Sequence, residues 1–572
     1  MTYDLVVRNG TVIDGSGGPR RRADVAVLGG KIAAIGEIDG AGREEIDAEG
    51  HIVAPGFVDA HTHMDAQLFW DDLGTYSCYH GVTSAVMGNC GFTLAPARPN
   101  ERALVVRNLE RAEDIAAEAM AQGIDWTWST YAEYLDAVEK QSKGINYAGC
   151  IGHSALRTWA MGERAFTETA NAQDMAVMAE ELRGALAAGA VGFTTSRSHS
   201  HTTSDDRPVA SRLASWEEVV ELVGIMGRES QGAFEIAAEA HHGDPEGLAD
   251  YERRLQELAV STGVPIMYGV IGGKSTKLID DTVAKGGRMH GLTHCRGVSS
   301  LYSFHTNIVY DVLPEWREVR SKPLEEQRRL LSDPQVRARL VHAGKYGDYG
   351  NRLGPEASKP NYDRLHVMQS TYKPNPTLRQ MADERGIDPV ELVIDLALES
   401  NFEVFFQQFY NTESDEGMVA TLRNPNTAMT FSDAGAHVKS IIDGSIQTHL
   451  LAYWVREKQL LTLEEAIPMI TRQPAELWRL HDRGLLREGL AADITIFDPQ
   501  RVAPRMPYVT SDLPGGASRF VQKADGYKAT IVNGQVFMRD GEATAARPGQ
   551  LLRARHGDRK GRADAGALAT AH

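Results

Sequence analysis

The feature that most constrains this chain is Ile52-Val53-Ala54-Pro55-Gly56-Phe57-Val58-Asp59-Ala60-His61-Thr62-His63-Met64-Asp65, a short apolar run that closes on two histidines one residue apart. If Phe57 to His63 is a strand, period-two alternation turns His61 and His63 to the same side, where two imidazoles can grip one metal ion. A bland pair of surface or core histidines would show the same spacing. The surroundings favour the ligand pair. Pro55-Gly56 punctuates the chain before the strand, Asp65 follows it, and Gly88-Asn89-Cys90-Gly91 comes about one βα unit later.

Length and charge narrow the classes. With 572 residues and 42% hydrophobic content, the chain can bury a large core, as several domains or one elaborated barrel. A formal net charge of -17 argues against a nucleic-acid partner, which needs a basic field, and against a membrane surface. The opening residues lack a basic segment followed by a long apolar one, and no later segment approaches ~18 uninterrupted apolar residues. A soluble, cytoplasmic protein is expected. Its four cysteines, Cys78, Cys90, Cys150 and Cys295, make no disulfide framework and no Cys-x-x-Cys, so reduced thiols are expected, at least one of them free to ligate metal.

Along the chain, residues 1–55 read as short strands separated by Asn9-Gly10, Gly15-Ser16-Gly17-Gly18 and Gly29-Gly30. Residues 481–547 repeat that texture in Ala492 to Phe497 and Ala529 to Val536, which suggests one β-sandwich built from both termini. Residues 56–480 alternate apolar strands with helical stretches, the pattern of βα units. Eight candidate strands run from Phe57, Ser84, Tyr147, Val191, Ala233, Pro265, Met289 and Ala428. They suit an α/β fold, a (β/α)8 TIM-like barrel, with chemistry at the C-terminal strand ends. The long gap before the eighth strand reads as an inserted lid or subdomain over residues 299–377, and 548–572, rich in Arg, Gly and Ala, as a mobile tail.

These motifs together resemble the D-aminoacylase (N-acyl-D-amino-acid deacylase) branch of the metal-dependent amidohydrolase superfamily. The likeness covers nearly the whole chain: Asp4 to Gly15, Pro55 to Asp65, Gly88 to Phe92, Gly152 to Arg157, Phe431 to Gly435 and Asp482 to Asp493. It implies that His61, His63, Cys90 and Asp433 surround a zinc ion, with the cysteine where relatives use a carboxylated lysine. Asp433 would also be the catalytic acid/base. Thiolate and imidazole are good zinc ligands, and a carboxylate beside the metal can take a proton from bound water. An ordinary buried thiol at Cys90 and a turn carboxylate at Asp433 are the plain alternatives.

The sequence departs from that branch at two points. Relatives carry a Thr-His-Met-Arg-like segment at the fifth strand and a Ser-His-His-Lys-like segment at the sixth. Here the fifth reads Gly232 to His242 and the sixth Val264 to Gly273, without a histidine in register, and Lys274 does not match the family lysine. Glu239 and His241, on one face if the strand continues, are candidates to rebuild the site; solvated loop residues would look alike. One zinc is the simplest expectation, with room for a second. Arg296, just past the seventh strand, is placed to clamp a substrate carboxylate, with a structural ion pair as its rival. His153 and His201 are further substrate-binding candidates, against a satisfied core histidine and a polar loop. His437 and Lys439 lie at the rim.

The expected activity is hydrolysis of the amide of an N-acyl amino acid or similar small compound by metal-activated water. Cyclic amide hydrolysis and deamination are supported by the same barrel, and a metal-free binding or assembly subunit is the alternative from another class. A homo-oligomer is compatible with the sequence.

Overall fold

The structure, a computed structural model, describes residues 2–229, 232–241, 243–270, 275–350, 359–411 and 413–554. His242, Lys274 and 555–572 of the expected tail lie outside them.

The middle of the chain forms a parallel sheet of Phe57–Thr62, Val82–Met87, Asn146–Gly152, Gly192–Ser196, Ala233–Ala237, Ile266–Gly269, Met289–Thr293 and a broken eighth strand, Thr427–Met429 with Phe431–Ala434. The two halves of that last strand pair with the seventh and the first strands respectively, so the ring is joined through the chain at Thr430 rather than by a continuous ladder. At the break, the Thr430 hydroxyl accepts the Ala60 N–H that the ladder leaves over.

Closure is also visible in the packing. One apolar cluster takes Val58, Ala60, Val86, Ala148, Cys150, Val191, Ala233, Met267, Leu292 and Ala428, contributions from every strand of the ring counting Val191 at the entry to the fourth, and Trp478 packs among them. Residues from all eight strands can meet only inside a barrel. The Trp478 indole N–H donates to the Ala60 carbonyl at 2.9 Å.

Both termini share a second sheet. Ile494–Phe497 lies antiparallel between Ile52–Pro55 and Tyr527–Val532. Leu5, Val7, Val25, Ile46 and Val53 from one end form one core with Ile494, Ile496 and Ile531 from the other. Each such side chain contributes about 1.5–3 kcal/mol by leaving water. Asn9-Gly10, expected as a turn, is instead an irregularity inside the long strand Tyr3–Val12, with Asn9 at φ 59°.

Two boundaries differ from expectation. The insertion does not stop near residue 377: the helices Leu378–Arg385 and Pro389–Glu399 and the strand Phe406–Phe409 share a separate core with Tyr302, Trp316 and Leu365. The strand Ser299–Tyr302 pairs with Phe406–Phe409, so the unit closes on itself where the chain leaves and re-enters the barrel. Nor is the stretch after Pro548 wholly a tail, because Gly549, Leu552 and Ala554 donate backbone hydrogen bonds to Lys143, Tyr147 and Gly189. No described helix is long and apolar enough to cross a membrane.

Candidate metal centre

The first strand delivers its histidines through a change of phase. Val58 and Ala60 point into the barrel core, and the register of pairing shifts between Asp59 and Thr62. Beyond that shift, His61 and His63 stand with ring centroids 5.5 Å apart, both buried. Phe431 stacks on His61 at 4.0 Å and fixes the ring.

Cys90 reaches the same place from a tight turn after the second strand. Its φ is 53°, and Gly88 before it is at 85°, where a Cβ would lie 2.4 Å from the Cys150 carbonyl. Side chains from three directions pin the turn. Asp65 accepts the Gly88 N–H at 2.9 Å, Asn89 donates to Thr62 and Val86 carbonyls at 3.0 Å each, and the Thr194 hydroxyl accepts the Gly91 N–H at 3.0 Å. Cys90 Sγ then lies 3.5 Å from His61 Nε2. Donor atoms of His61, His63 and Cys90 all fall within 4.8 Å of one another.

Asp433 closes the group from the end of the eighth strand, with Oδ1 3.1 Å from His61 Nε2 and 3.6 Å from His63 Nε2. Gly435, at φ 96°, lets the following turn lie against the His63 backbone; a Cβ there would be 2.6 Å from the His63 carbonyl oxygen.

Two carboxylates that the sequence reading missed join them. Glu235 sits in the middle of the fifth strand, on the face of Ala233 and Ala237, and its Oε2 accepts the Cys90 N–H at 2.8 Å. Glu113, from the loop after the helix Arg102–Glu110, places Oε2 3.4 Å from His63 Nε2. Together with His201, His437, Ser198 and Phe431 these groups line a cavity of about 190 Å³.

The electrostatics follow from burial. Desolvation raises the Glu235 carboxyl to about 7 and, with the charges of Asp433 and Glu235 adding, pushes Glu113 well above the usual carboxylate range. Burial likewise pushes the Cys90 thiol well up, with Glu235 next in effect. Asp433 moves the other way: burial opposes its charge, but the imidazoles of His61 and His63 beside it hold it well below the ordinary value. His63 falls to about 4, chiefly through burial.

Two imidazoles, a thiol and a carboxylate suit a zinc ion, and the buried His63 Nε2 has no hydrogen-bond partner in the protein. Residues 44–538 match the amidohydrolase family. The chain is an amidohydrolase. Among its relatives, N-acyl-D-glutamate deacylase of Alcaligenes xylosoxydans xylosoxydans is 30% identical over 559 residues, 96% of each chain. D-aminoacylase of the same organism is 27% identical over 563 residues, 96% of this chain and 97% of that one. These place this amidohydrolase on the D-aminoacylase branch. The fold agrees with a solved N-acyl-D-glutamate deacylase from Bordetella bronchiseptica, complexed with zinc and a phosphonate inhibitor: TM-score 0.63 at 24% identity, covering 97% of this chain and 100% of that one.

Of the amidohydrolase's expected site residues, His63, Cys90, Asp433 and His201 line the cavity, and His61 lies against its wall, 3.1 Å from Asp433 Oδ1. His201 bonds through Nδ1 to Ser196 Oγ at 2.7 Å. Glu239 and His241 do not reach it. The fifth strand stops at Ala237, so alternation no longer governs Glu239, which pairs with Arg197 and with His241 at 3.1 Å. Arg296 is the structural ion pair: Nε and Nη2 hold Asp443, and Nη2 also donates to the Ile442 carbonyl at 2.9 Å. His153 is the satisfied core histidine, bonded to Thr195 and to Glu218 at 2.8 Å each. What sequence alone lacked was the partner across from each of these groups.

Proposed function

We propose that this chain is a cytoplasmic zinc-dependent deacylase that hydrolyses the amide bond of small N-acyl amino acids, with His61, His63, Cys90 and Asp433 around the metal. The observation that carries the reading is the convergence of those four side chains at the ends of three different strands of the barrel, with donor atoms of His61, His63 and Cys90 within 4.8 Å of one another and Asp433 Oδ1 3.1 Å from His61. Zinc, when bound, supplies a Lewis acid that polarises the amide carbonyl and acidifies a water molecule. The chain's own part is proton transfer and positioning. Asp433 takes a proton from the attacking water and returns it to the departing amine nitrogen as the C–N bond breaks, so one carboxylate serves as base and then acid. Phe431 holds the His61 ring and gives the cavity an apolar wall. Ser198, His201 and His437 are available to hydrogen-bond the substrate.

A second substrate class has an observation in its favour. Among the described residues lining the cavity there is no Arg or Lys to meet a substrate carboxylate, and Arg296, the residue expected to do so, is spent on Asp443. A neutral cyclic amide needs no such partner. Turnover of purified, zinc-replete enzyme on a panel of N-acyl-D- and L-amino acids, cyclic imides and aminated heterocycles decides between them. Hydrolysis of the N-acyl amino acids is the expected result; turnover confined to cyclic imides would transfer the assignment. Less than one equivalent of zinc in every preparation, with no turnover, would make the chain a non-catalytic binding subunit. The inserted unit from Ser299 to Phe409 fits a specificity element: Leu301, Met368 and Phe405 pack on Ile442 in the loop after the eighth strand, although no described residue of the unit lines the cavity.

A further inference from the structure

Gly152-His153-Ser154-Ala155-Leu156-Arg157 stands at the end of the third barrel strand and opens the helix His153–Met161, yet none of its residues lines the cavity. His153, Ser154 and Arg157 are buried, and the first two send their hydrogen bonds to the end of the fourth strand. His153 Nε2 meets Glu218 Oε1 at 2.8 Å, and Arg157 holds the other oxygen of that carboxylate. A carboxylate only accepts, so Nε2 carries the proton, and Nδ1 of the neutral ring accepts from the Thr195 hydroxyl at 2.8 Å. Ser154 Oγ donates to Ser211 Oγ at 3.0 Å, and Ser211 Oγ donates to the Ser196 carbonyl at 3.1 Å. Two consecutive residues thus clasp the last two residues of the neighbouring strand.

That strand end is the surface on which the Cys90 turn rests. A Cβ on Gly91 would lie 2.9 Å from Thr195 Cα and 3.0 Å from Ser196 N, and one on Gly152 would lie 2.7 Å from the Gly91 carbonyl carbon. Backbone therefore touches backbone on both sides of the turn, with no side chain between to absorb a shift. Alternation points Thr194 at the turn, where its hydroxyl accepts the Gly91 N–H and donates to the Gly88 carbonyl. Thr195 points the other way, onto His153.

We infer that His153 is a positioning residue for the zinc ligand Cys90: by fixing Thr195 it sets where the fourth strand ends, and so where the turn after the second strand delivers the thiol. Groups that orient a metal ligand from behind typically contribute ~10–100-fold to metal affinity. The inference rests on the reading of Cys90 as a zinc ligand, and its test separates the two.

The test uses full-length protein loaded with zinc or with Co2+, whose near-ultraviolet charge-transfer band reports a bond to thiolate. Zinc affinity is measured by competition with a chelator for His153→Asn, His153→Gln and Thr195→Val. Asn places its amide oxygen near the Nδ1 position and still takes the Thr195 hydroxyl, whereas Gln reaches toward Glu218 and leaves Thr195 free. His153→Gln and Thr195→Val should bind zinc ~10–100-fold more weakly and shift or weaken the cobalt band, with His153→Asn within about threefold of the natural protein. The double variant His153→Gln/Thr195→Val should be no worse than the weaker single one, because both break the same contact. Ile279→Ala, a truncation in the fully buried part of the helix Lys277–Ala284, should lower the melting temperature at unchanged zinc affinity. If His153→Gln does not fold, Thr195→Val and His153→Asn carry the same comparison. Natural zinc affinity and an unmoved cobalt band in folded His153→Gln or Thr195→Val would overturn the role of His153 alone, as would equal losses in Asn, Gln and Ile279→Ala. A natural protein without the thiolate band would first remove Cys90 from the zinc ligands, and the inference with it.

Discussion

Asp433 is held in place by its backbone as much as by its partners. Its φ of 50° is in the left-handed region, which a non-glycine residue occupies at a cost, and His437 four residues on is at 47°. That turn aims the carboxylate at His61 and His63 instead of along the strand. Asp433→Asn keeps shape and a metal-facing oxygen but cannot accept the water proton. Turnover should fall by ~10²–10⁴-fold with zinc content retained. An Asn variant within a few-fold of natural turnover would remove Asp433 from the proton path. His61 and His63 were legible as a pair because their spacing turns both imidazoles to one side, whereas Cys90 and Asp433 were singled out by the resemblance to the D-aminoacylase branch. Glu235 left a weaker trace, a lone carboxylate between Phe234 and Ile236 in an apolar strand. Glu113 left none. It arrives through tertiary packing, its carbonyl accepting the His437 N–H at 2.7 Å, and a sequence in which it follows a charged helix gives no sign of that.

At the level of elements, all eight strands were readable as apolar runs between turn residues, because a barrel strand is buried on both faces. What periodicity could not give was how the eighth strand joins two neighbours at once. The break at Thr430 answers that, since its own N–H goes to Thr293 on the seventh strand while its hydroxyl takes the Ala60 N–H of the first. Thr430→Val keeps the shape and leaves a fully buried N–H unsatisfied. The expected cost is ~1–3 kcal/mol in denaturant unfolding, with Thr430→Ser close to the natural protein. Equal midpoints for Val and Ser would mean that the hydroxyl does not close the ring. The inserted unit has a similar join: its charged stretch is two helices, Leu324–Leu331 and Pro334–Tyr346, because Asp333 caps the second and Pro334 opens it.

Across the whole molecule, the barrel and the C-terminal piece of the chain meet around His80, a residue that no motif marked. His80 is fully buried, with Nδ1 on the Thr448 hydroxyl at 2.7 Å and Nε2 on the Gln522 carbonyl at 3.0 Å. Tyr527, in the terminal sheet, donates to the His80 carbonyl at 3.0 Å, so this one residue, through ring and backbone together, joins the lead into the second barrel strand to the helical segment at 446–449 and the C-terminal sheet. Burial depresses its pKa to about 3, against ~6.5 in an unfolded chain. The unfolded state therefore binds a proton below pH ~6.5 that the folded state refuses until about pH 3, and the contribution of His80 is complete above 6.5 and lost as pH falls. Each pH unit below 6.5 should remove ~1.4 kcal/mol. The carboxyls of Asp59 and Asp65, raised by burial to about 7, act in the opposite sense, so the raw profile of the protein mixes both signs. Comparison with His80→Gln cancels them, because only the imidazole differs. Whatever the variant costs at pH 7, the gap between natural protein and variant in urea unfolding should narrow by ~2 kcal/mol on going to pH 5. A gap that stays constant would mean that His80 takes up its proton in the folded protein as readily as in the unfolded one, and that the junction of barrel and terminal sheet is open to water.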